Sequence, residues 1–445
     1  MDTLFSGGAQ PPLEAPRVLG RETEWLMTRY SARGQRLRPP EITGLMKTAL
    51  DNPELLSLAA GFTDTESLPA GPVSRIVQDL TERQGPPEHL QYGTNQGRPG
   101  LRRLLSHRLE EWDGCRRDSM HPDRIFITNG SQQGLALASE VLCDAGDIVL
   151  VEQPTYFVYL DVARSLGLDL RPLPTDPGSG KLDPQALTSL LANLRTEGES
   201  ERLKAVYLVS YFSNPSSRSM SREDKAILAE ALQEAKLTPV ILEDAAYRDL
   251  YFHTSPTAPS VLSLPEYEPF PRLYFGTLTK PFATGLKVGY ACSSDEELRD
   301  RILYLKGAHD FGTANFNQAV LEVALQSGEL DAHLGGLRDR YRCKMKVLHA
   351  ALRNEGLPEA GWAWEEPEGG LYLWLQAPPG VDTAMGSPFW AAALDAGVLY
   401  VPGDLCFPTP TDTCFVRLSF GVLQEEGLQE AARRFGEAAR AVVRG

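Results

Sequence analysis

Between about residues 70 and 325, short apolar runs alternate with stretches of helical spacing. The runs are Ile125-Phe126-Ile127-Thr128, Ala205-Val206-Tyr207-Leu208-Val209, Pro239-Val240-Ile241-Leu242 and Leu273-Tyr274-Phe275. Helix-like spacing covers Leu101 to Trp112, Gln132 to Leu142 and Lys225 to Ala235. This alternation predicts a mostly parallel sheet with helices on both faces. Each apolar run gives way to polar residues at its C-terminal end: Asn129-Gly130-Ser131-Gln132-Gln133, Ser213-Asn214-Pro215, Glu243-Asp244 followed by Tyr247, and Gly276-Thr277-Leu278-Thr279-Lys280. In open α/β sheets ligands bind at that edge, so these four clusters are the candidate site.

The last cluster carries the most chemistry. Lys280 stands at a strand end beside Thr277 and Thr279, with Lys287 seven residues on. Burial and a neighbouring cation both favour a neutral, nucleophilic amine, which suits imine formation. The threonine hydroxyls and Lys287 suit an anion such as a phosphate. Together the clusters fit pyridoxal 5'-phosphate. Lys280 would form the Schiff base, and Asp244 would keep the pyridinium nitrogen protonated. Asn214 and Tyr247 would hydrogen-bond the phenolic oxygen. The Gly130-Ser131-Gln132 turn opens a helix whose free N–H groups would take the phosphate. Tyr156, in Glu152-Gln153-Pro154-Thr155-Tyr156, would stack on the ring.

Further signatures follow in order: Leu58-Ala59-Ala60-Gly61, Tyr92-Gly93 with Gly97 and Leu101-Arg102, Pro367-Glu368-Gly369-Gly370-Leu371-Tyr372-Leu373-Trp374, Val401-Pro402-Gly403 and Val416-Arg417-Leu418-Ser419-Phe420. With these, roughly residues 40 to 440 resemble a class I/II aminotransferase of the aspartate aminotransferase superfamily, the type I fold of pyridoxal phosphate enzymes. The likeness is greatest to the branch of aminoadipate, kynurenine, aromatic and valine aminotransferases. The resemblance implies a seven-stranded sheet in a large domain plus a smaller α+β domain, and a homodimer. It implies that Arg417 binds the substrate α-carboxylate, which a guanidinium fork matches. It places Tyr92 at the phosphate of the neighbouring subunit's cofactor, and Gly61 where backbone approaches substrate. Two departures stand out. Lys287 replaces the family's usual arginine, a point charge for a fork. Ser213-Asn214-Pro215-Ser216-Ser217-Arg218 replaces Gln-Asn-Pro-Thr-Gly, so Ser217 stands where a glycine eases the turn, and Arg218 reads as a solvated loop residue.

The expected division is an N-terminal arm with part of the small domain over 1–65, a large cofactor domain over 66–325, and a C-terminal small domain over 326–445. The arm holds five prolines before residue 41 and a short helix near Glu22 to Ala32. The last region opens on a helix over Leu334 to Arg353, contains strands over Leu371–Leu375, Val398–Val401 and Phe415–Phe420, and closes on a helix from Glu425 to Val443. The net charge of −15 disfavours nucleic acid and acidic membranes, and argues against a DNA-binding regulator built on this fold. No apolar run is long enough to span a bilayer, and the start lacks the pattern of a signal peptide. Six scattered cysteines without a CxxC pair suit free thiols in a reducing cytoplasm. Seven histidines show no metal-ligand spacing; His309, near Asp310, reads as an ordinary helix or loop residue.

The expected reaction moves an amino group from an L-amino acid to a 2-oxo acid, with Lys280 as proton carrier, in ping-pong order. A lyase, a C–C bond-forming enzyme or an oxidase on the same fold is the alternative, because the cofactor residues serve a step common to all. The side-chain class of the substrate stays open, with Phe311–Asn315 and the arm near Arg38 to Leu45 as candidate contacts.

Overall fold

The computed structural model describes residues 29–176, 180–409, 411 and 414–443. Its strands are β1 (Leu56–Ser57), β2 (Ile125–Asn129), β3 (Ile148–Val151), β4 (Asp169–Pro172), β5 (Leu203–Val209), β6 (Val240–Asp244), β7 (Arg272–Thr277), β8 (Val288–Ser293), β9 (Tyr372–Gln376), β10 (Val398–Leu399), β11 (Val401–Pro402) and β12 (Phe415–Ser419). Seven of them form one sheet in the order β2-β8-β7-β6-β5-β3-β4. All are parallel except β8, which runs antiparallel to both β2 and β7.

The apolar runs are continuous because both sheet faces are covered. Along β5, Ala205, Tyr207 and Val209 join the core on one face, while Val206 and Leu208 join the core on the other. Strands buried on both sides lose the usual alternation of polar and apolar residues. Helices Gly130–Leu142 and Phe157–Leu166 contribute to the first core, and Pro184–Thr196 and Arg222–Glu234 to the second. The last two start at side-chain caps, from Asp183 and Ser221.

The C-terminal third builds a second, antiparallel sheet in the order β11-β12-β9, packed with helices Glu329–Asn354 and Glu425–Val443. The single strand expected over Val398–Val401 is split. β10 pairs in parallel with β1, bringing the chain before residue 60 onto the C-terminal third, whereas β11 pairs antiparallel with β12. Tyr400, fully buried with its hydroxyl on Thr383 O at 2.9 Å, sits at the change of partner. In the arm, Glu22 to Thr28 lie outside the described residues. A five-residue helix follows at Ala32–Arg36, and a longer one at Glu41–Asp51 behind Pro40, which the sequence reading did not anticipate. Residues 177–179 are also outside the described set. Among the described residues no helix is long and apolar enough to cross a membrane, and no group of histidine, cysteine and acidic side chains is arranged to hold a metal.

Candidate active site

Strand register brings the polar clusters together. Val209 aligns with Asp244, and Asp244 with Phe275. One step further, Thr277 and Thr128 both align with Gly289, and Asn129 with Val288. The carboxyl ends of β2, β5, β6 and β7 therefore meet the amino end of β8, which puts Lys287 and the Gly130-Ser131 turn side by side. Gly289 is required there: a Cβ on it would lie 2.4 Å from Gly130 C and 2.5 Å from Ser131 N. Gly130 has φ +70°, and the first N–H groups of the helix it opens have no partner within the helix. Gln132 presents a buried Oε1 that makes no hydrogen bond.

Asp244 is buried at the end of β6. Tyr207 Oη donates to its Oδ2 at 3.1 Å and Ala246 N to its Oδ1 at 3.0 Å. Burial pushes its carboxyl up to about 6 against the pull of these two donors and of the Lys280 charge. Among the described residues it forms no ion pair. Lys280 is half-buried just beyond β7. Its Nζ lies 3.5 Å from Gly61 O and 5.1 Å from the centre of the Tyr247 ring. Tyr247 is buried, and its hydroxyl lies 3.0 Å from that of Tyr372. Tyr156 is half-buried, with its phenol held neutral mainly by burial.

Arg417 lies in the middle of β12 with 1 % of its surface exposed. It donates to Asn214 Oδ1 at 2.9 Å and Ala59 O at 2.7 Å, and its Nε has no partner. Its guanidinium lies 4.3 Å from the Tyr372 ring centre and 5.3 Å from that of Phe157. No described carboxylate pairs with it. A buried cation held by carbonyls and aromatic faces, with donor capacity to spare, calls for an anion.

The Asn214 loop differs from expectation in how it manages its serine. Ser217 adopts φ +55°, the left-handed region in which a side chain costs about 1–2 kcal/mol. Its Oγ donates to Tyr372 O at 2.8 Å, which clamps the loop to β9 and offsets that cost. Arg218 is tied to Glu365 by two bonds of 2.9 and 2.8 Å.

Gly61, Lys280, Tyr247, Arg417 and Asn214 are thus linked by contacts that run through Tyr372, and strand register sets Asp244 at the same sheet edge. Thr277 and Thr279 reach its edge with both hydroxyls 3.4 Å from Val288 O. Lys287 is exposed, in the left-handed region at φ +56°. Tyr92 is not among the linked residues. Its ring is 81 % exposed and makes an edge contact with Phe311. His309 ends a helix, 3.9 Å from Glu140. The sequence reading gave no role to Tyr207, Phe157, Ala59 or Tyr372. Tyr207 looked like one more apolar strand residue, and Tyr372 entered only as part of a motif.

A buried acid lacking a cation, a buried arginine lacking an anion, a half-buried lysine amine and a helix N-terminus behind a glycine that admits no Cβ fit a cationic ring bearing a phosphate. Comparison with known proteins points the same way. The family model described as aminotransferase class I and II matches residues 53–435. The chain is 29 % identical to an aromatic-amino-acid aminotransferase of Thermococcus litoralis, over 92 % of this chain and 93 % of that one. It is 30 % identical to a 2-aminoadipate transaminase of Thermus thermophilus, over 92 % and 96 %. Its structure matches that of an α-aminoadipate aminotransferase from Thermus thermophilus, complexed with N-(5'-phosphopyridoxyl)-L-leucine, with a TM-score of 0.79 and 28 % identity over 94 % and 99 % of the chains. The chain belongs to the class I and II aminotransferases, enzymes that transfer amino groups with pyridoxal 5'-phosphate.

Proposed function

We propose that Lys280, Asp244, Asn214, Tyr247 and Arg417 form the reaction centre, with Lys280 as the covalent attachment point and proton carrier. The observation that carries this is a pair of uncompensated buried charges, Asp244 and Arg417, with the Lys280 amine over the Tyr247 ring and that phenol in turn on Tyr372, whose ring faces Arg417. When bound, the cofactor supplies an electron sink for the charge left on the substrate's Cα. Asp244 holds the proton on the ring nitrogen. Asn214 and Tyr247 serve the phenolic oxygen, and Asn214 is itself oriented by Arg417. Tyr156 covers the ring. Ser131, Gln132, Thr277, Thr279 and Lys287 hold the phosphate. Arg417 takes the carboxylate of an L-amino acid between the Phe157 and Tyr372 faces. Gly61 leaves room beside Tyr372, since a Cβ there would lie 3.0 Å from its hydroxyl. The Lys280 amine would take the proton from the substrate's Cα as general base and give it up again as general acid to the cofactor's C4′.

Tyr92 is assigned to the cofactor phosphate of a second copy of the chain in a homodimer. Its exposure supports this, as does that of Leu90, two residues before it, and of Phe311, in ring contact with it. The domain boundaries 1–65, 66–325 and 326–445 are proposed on the pairing of β1 with β10. A cytoplasmic location is proposed on the six free cysteines.

The test is the half-reaction. Holo-protein receives single amino acids with no oxo acid present, and its visible spectrum is followed. A stoichiometric change reversed by a 2-oxo acid is expected and identifies the donor. Continued turnover without an acceptor would establish the lyase, condensation or oxidase chemistry instead.

A further inference from the structure

We propose that Tyr372 is a positioning residue for the transfer: its hydroxyl donates to the phenol of Tyr247 and couples it to the arginine that takes the substrate carboxylate. The proposal rests on the reading of Tyr247 as the phenol that serves the cofactor's phenolic oxygen.

The geometry leaves the Tyr372 hydroxyl little freedom. Tyr372 is 1 % exposed, its ring meets that of Tyr247 edge-on at 5.8 Å, and the two hydroxyl oxygens are 3.0 Å apart. Its backbone is held on both sides, by Ser217 Oγ on its carbonyl and by the pairing of Tyr372 with Ser419 on β12. Gly61, whose carbonyl faces Lys280, approaches the same hydroxyl so closely that a Cβ would lie 3.0 Å from it.

Two phenols at this distance share one hydrogen bond, and the surroundings decide its direction. Each ring has a cation near it, Arg417 at 4.3 Å from the centre of the Tyr372 ring and Lys280 Nζ farther off, at 5.1 Å from that of Tyr247, and the Lys280 amine is the one taken up by the cofactor. A cation on the ring face draws electron density from the phenol, making Tyr372 the better donor and the poorer acceptor. Tyr247 then accepts from Tyr372, and its own proton is free for the site. Accepting one hydrogen bond strengthens the one it donates. Arg417 also donates to Asn214 Oδ1, so both groups assigned to the phenolic oxygen are organised from the carboxylate-binding arginine.

Tyr372→Phe removes one hydroxyl and keeps the ring, the Ser217 bond to the main chain and the Arg417 contact. The experiment uses holoenzyme of four kinds: wild type, Tyr372→Phe, Tyr247→Phe and the double variant. It reads the pH midpoint of the visible band of the lysine-bound cofactor, together with kcat and KM. Weaker hydrogen bonding to an anionic phenolic oxygen raises that midpoint. Tyr372→Phe is expected to raise it by roughly half a unit to one unit. The kcat falls about three- to tenfold with an unchanged KM for the amino acid, and the double variant matches Tyr247→Phe alone. A midpoint that moves in Tyr247→Phe but not in Tyr372→Phe overturns the proposal, as do fully additive shifts. A midpoint unmoved by Tyr247→Phe overturns the reading of Tyr247 and the proposal with it.

Discussion

Asp244→Asn tests the electrostatic logic of the site without any assay of turnover. In the protein without cofactor, the Asp244 carboxyl rises from 3.8 to about 6, chiefly because burial disfavours its charge. Between pH about 4 and about 6 the folded chain therefore binds more protons at this position than the unfolded chain. Stability contributed here falls as pH rises through that window and stays low above it. Two pH units correspond to about 3 kcal/mol. For a chain of 445 residues that is ~3 °C in melting temperature. The asparagine variant has nothing to titrate at this position, so the wild-type-minus-variant difference isolates this one group. Cofactor-free wild type and Asp244→Asn would be melted at pH 4.5, 6 and 7.5, and over that range wild type should lose ~2 °C relative to the variant, about a third of the effect having accrued below pH 4.5. With cofactor bound, a cationic ring nitrogen against the carboxylate should abolish the loss. A difference that is flat with pH in the cofactor-free protein, or that falls equally with cofactor present, would refute the reasoning.

Other outcomes follow from the same geometry. Lys280→Ala is expected to lose the borohydride-reducible link to the cofactor, whereas Lys287→Ala retains it and binds the cofactor more weakly; a reducible link in Lys280→Ala would sink the assignment. Arg417→Ala should keep the cofactor's visible band but raise its pH midpoint, while kcat/KM for amino acids drops about a hundred- to a thousandfold, as expected for loss of a buried charge-assisted contact. At Ser217 two replacements separate strain from hydrogen bonding: Ser217→Ala keeps the left-handed residue and loses the bond to Tyr372 O, costing about 1–2 kcal/mol in urea unfolding, while Ser217→Gly relieves the strain and should be nearly neutral.

Much of this was legible in the chain itself. The alternation of apolar runs with helical spacing determined a mostly parallel sheet, because strands buried on both faces must be apolar throughout. The polar residues closing those runs determined which edge carries chemistry, since only an edge leaves room for unpaired polar groups. Lys280, Asp244, Asn214, Tyr247 and Arg417 stood out by type and motif.

Tertiary structure decided what those residues touch. The antiparallel insertion of β8 between β2 and β7 sets Gly289 against the Gly130 turn, and register across three strands is a long-range property that local spacing does not encode. The split of Val398–Val401 between two sheets depends on β1 arriving from more than three hundred residues away. Tyr207 and Tyr372 were hidden for a physical reason: a tyrosine in an apolar run has the same hydrophobic signature whether its hydroxyl meets a carboxylate, another phenol or nothing. Only folding put one of them on Asp244 and the other between Arg417 and Tyr247.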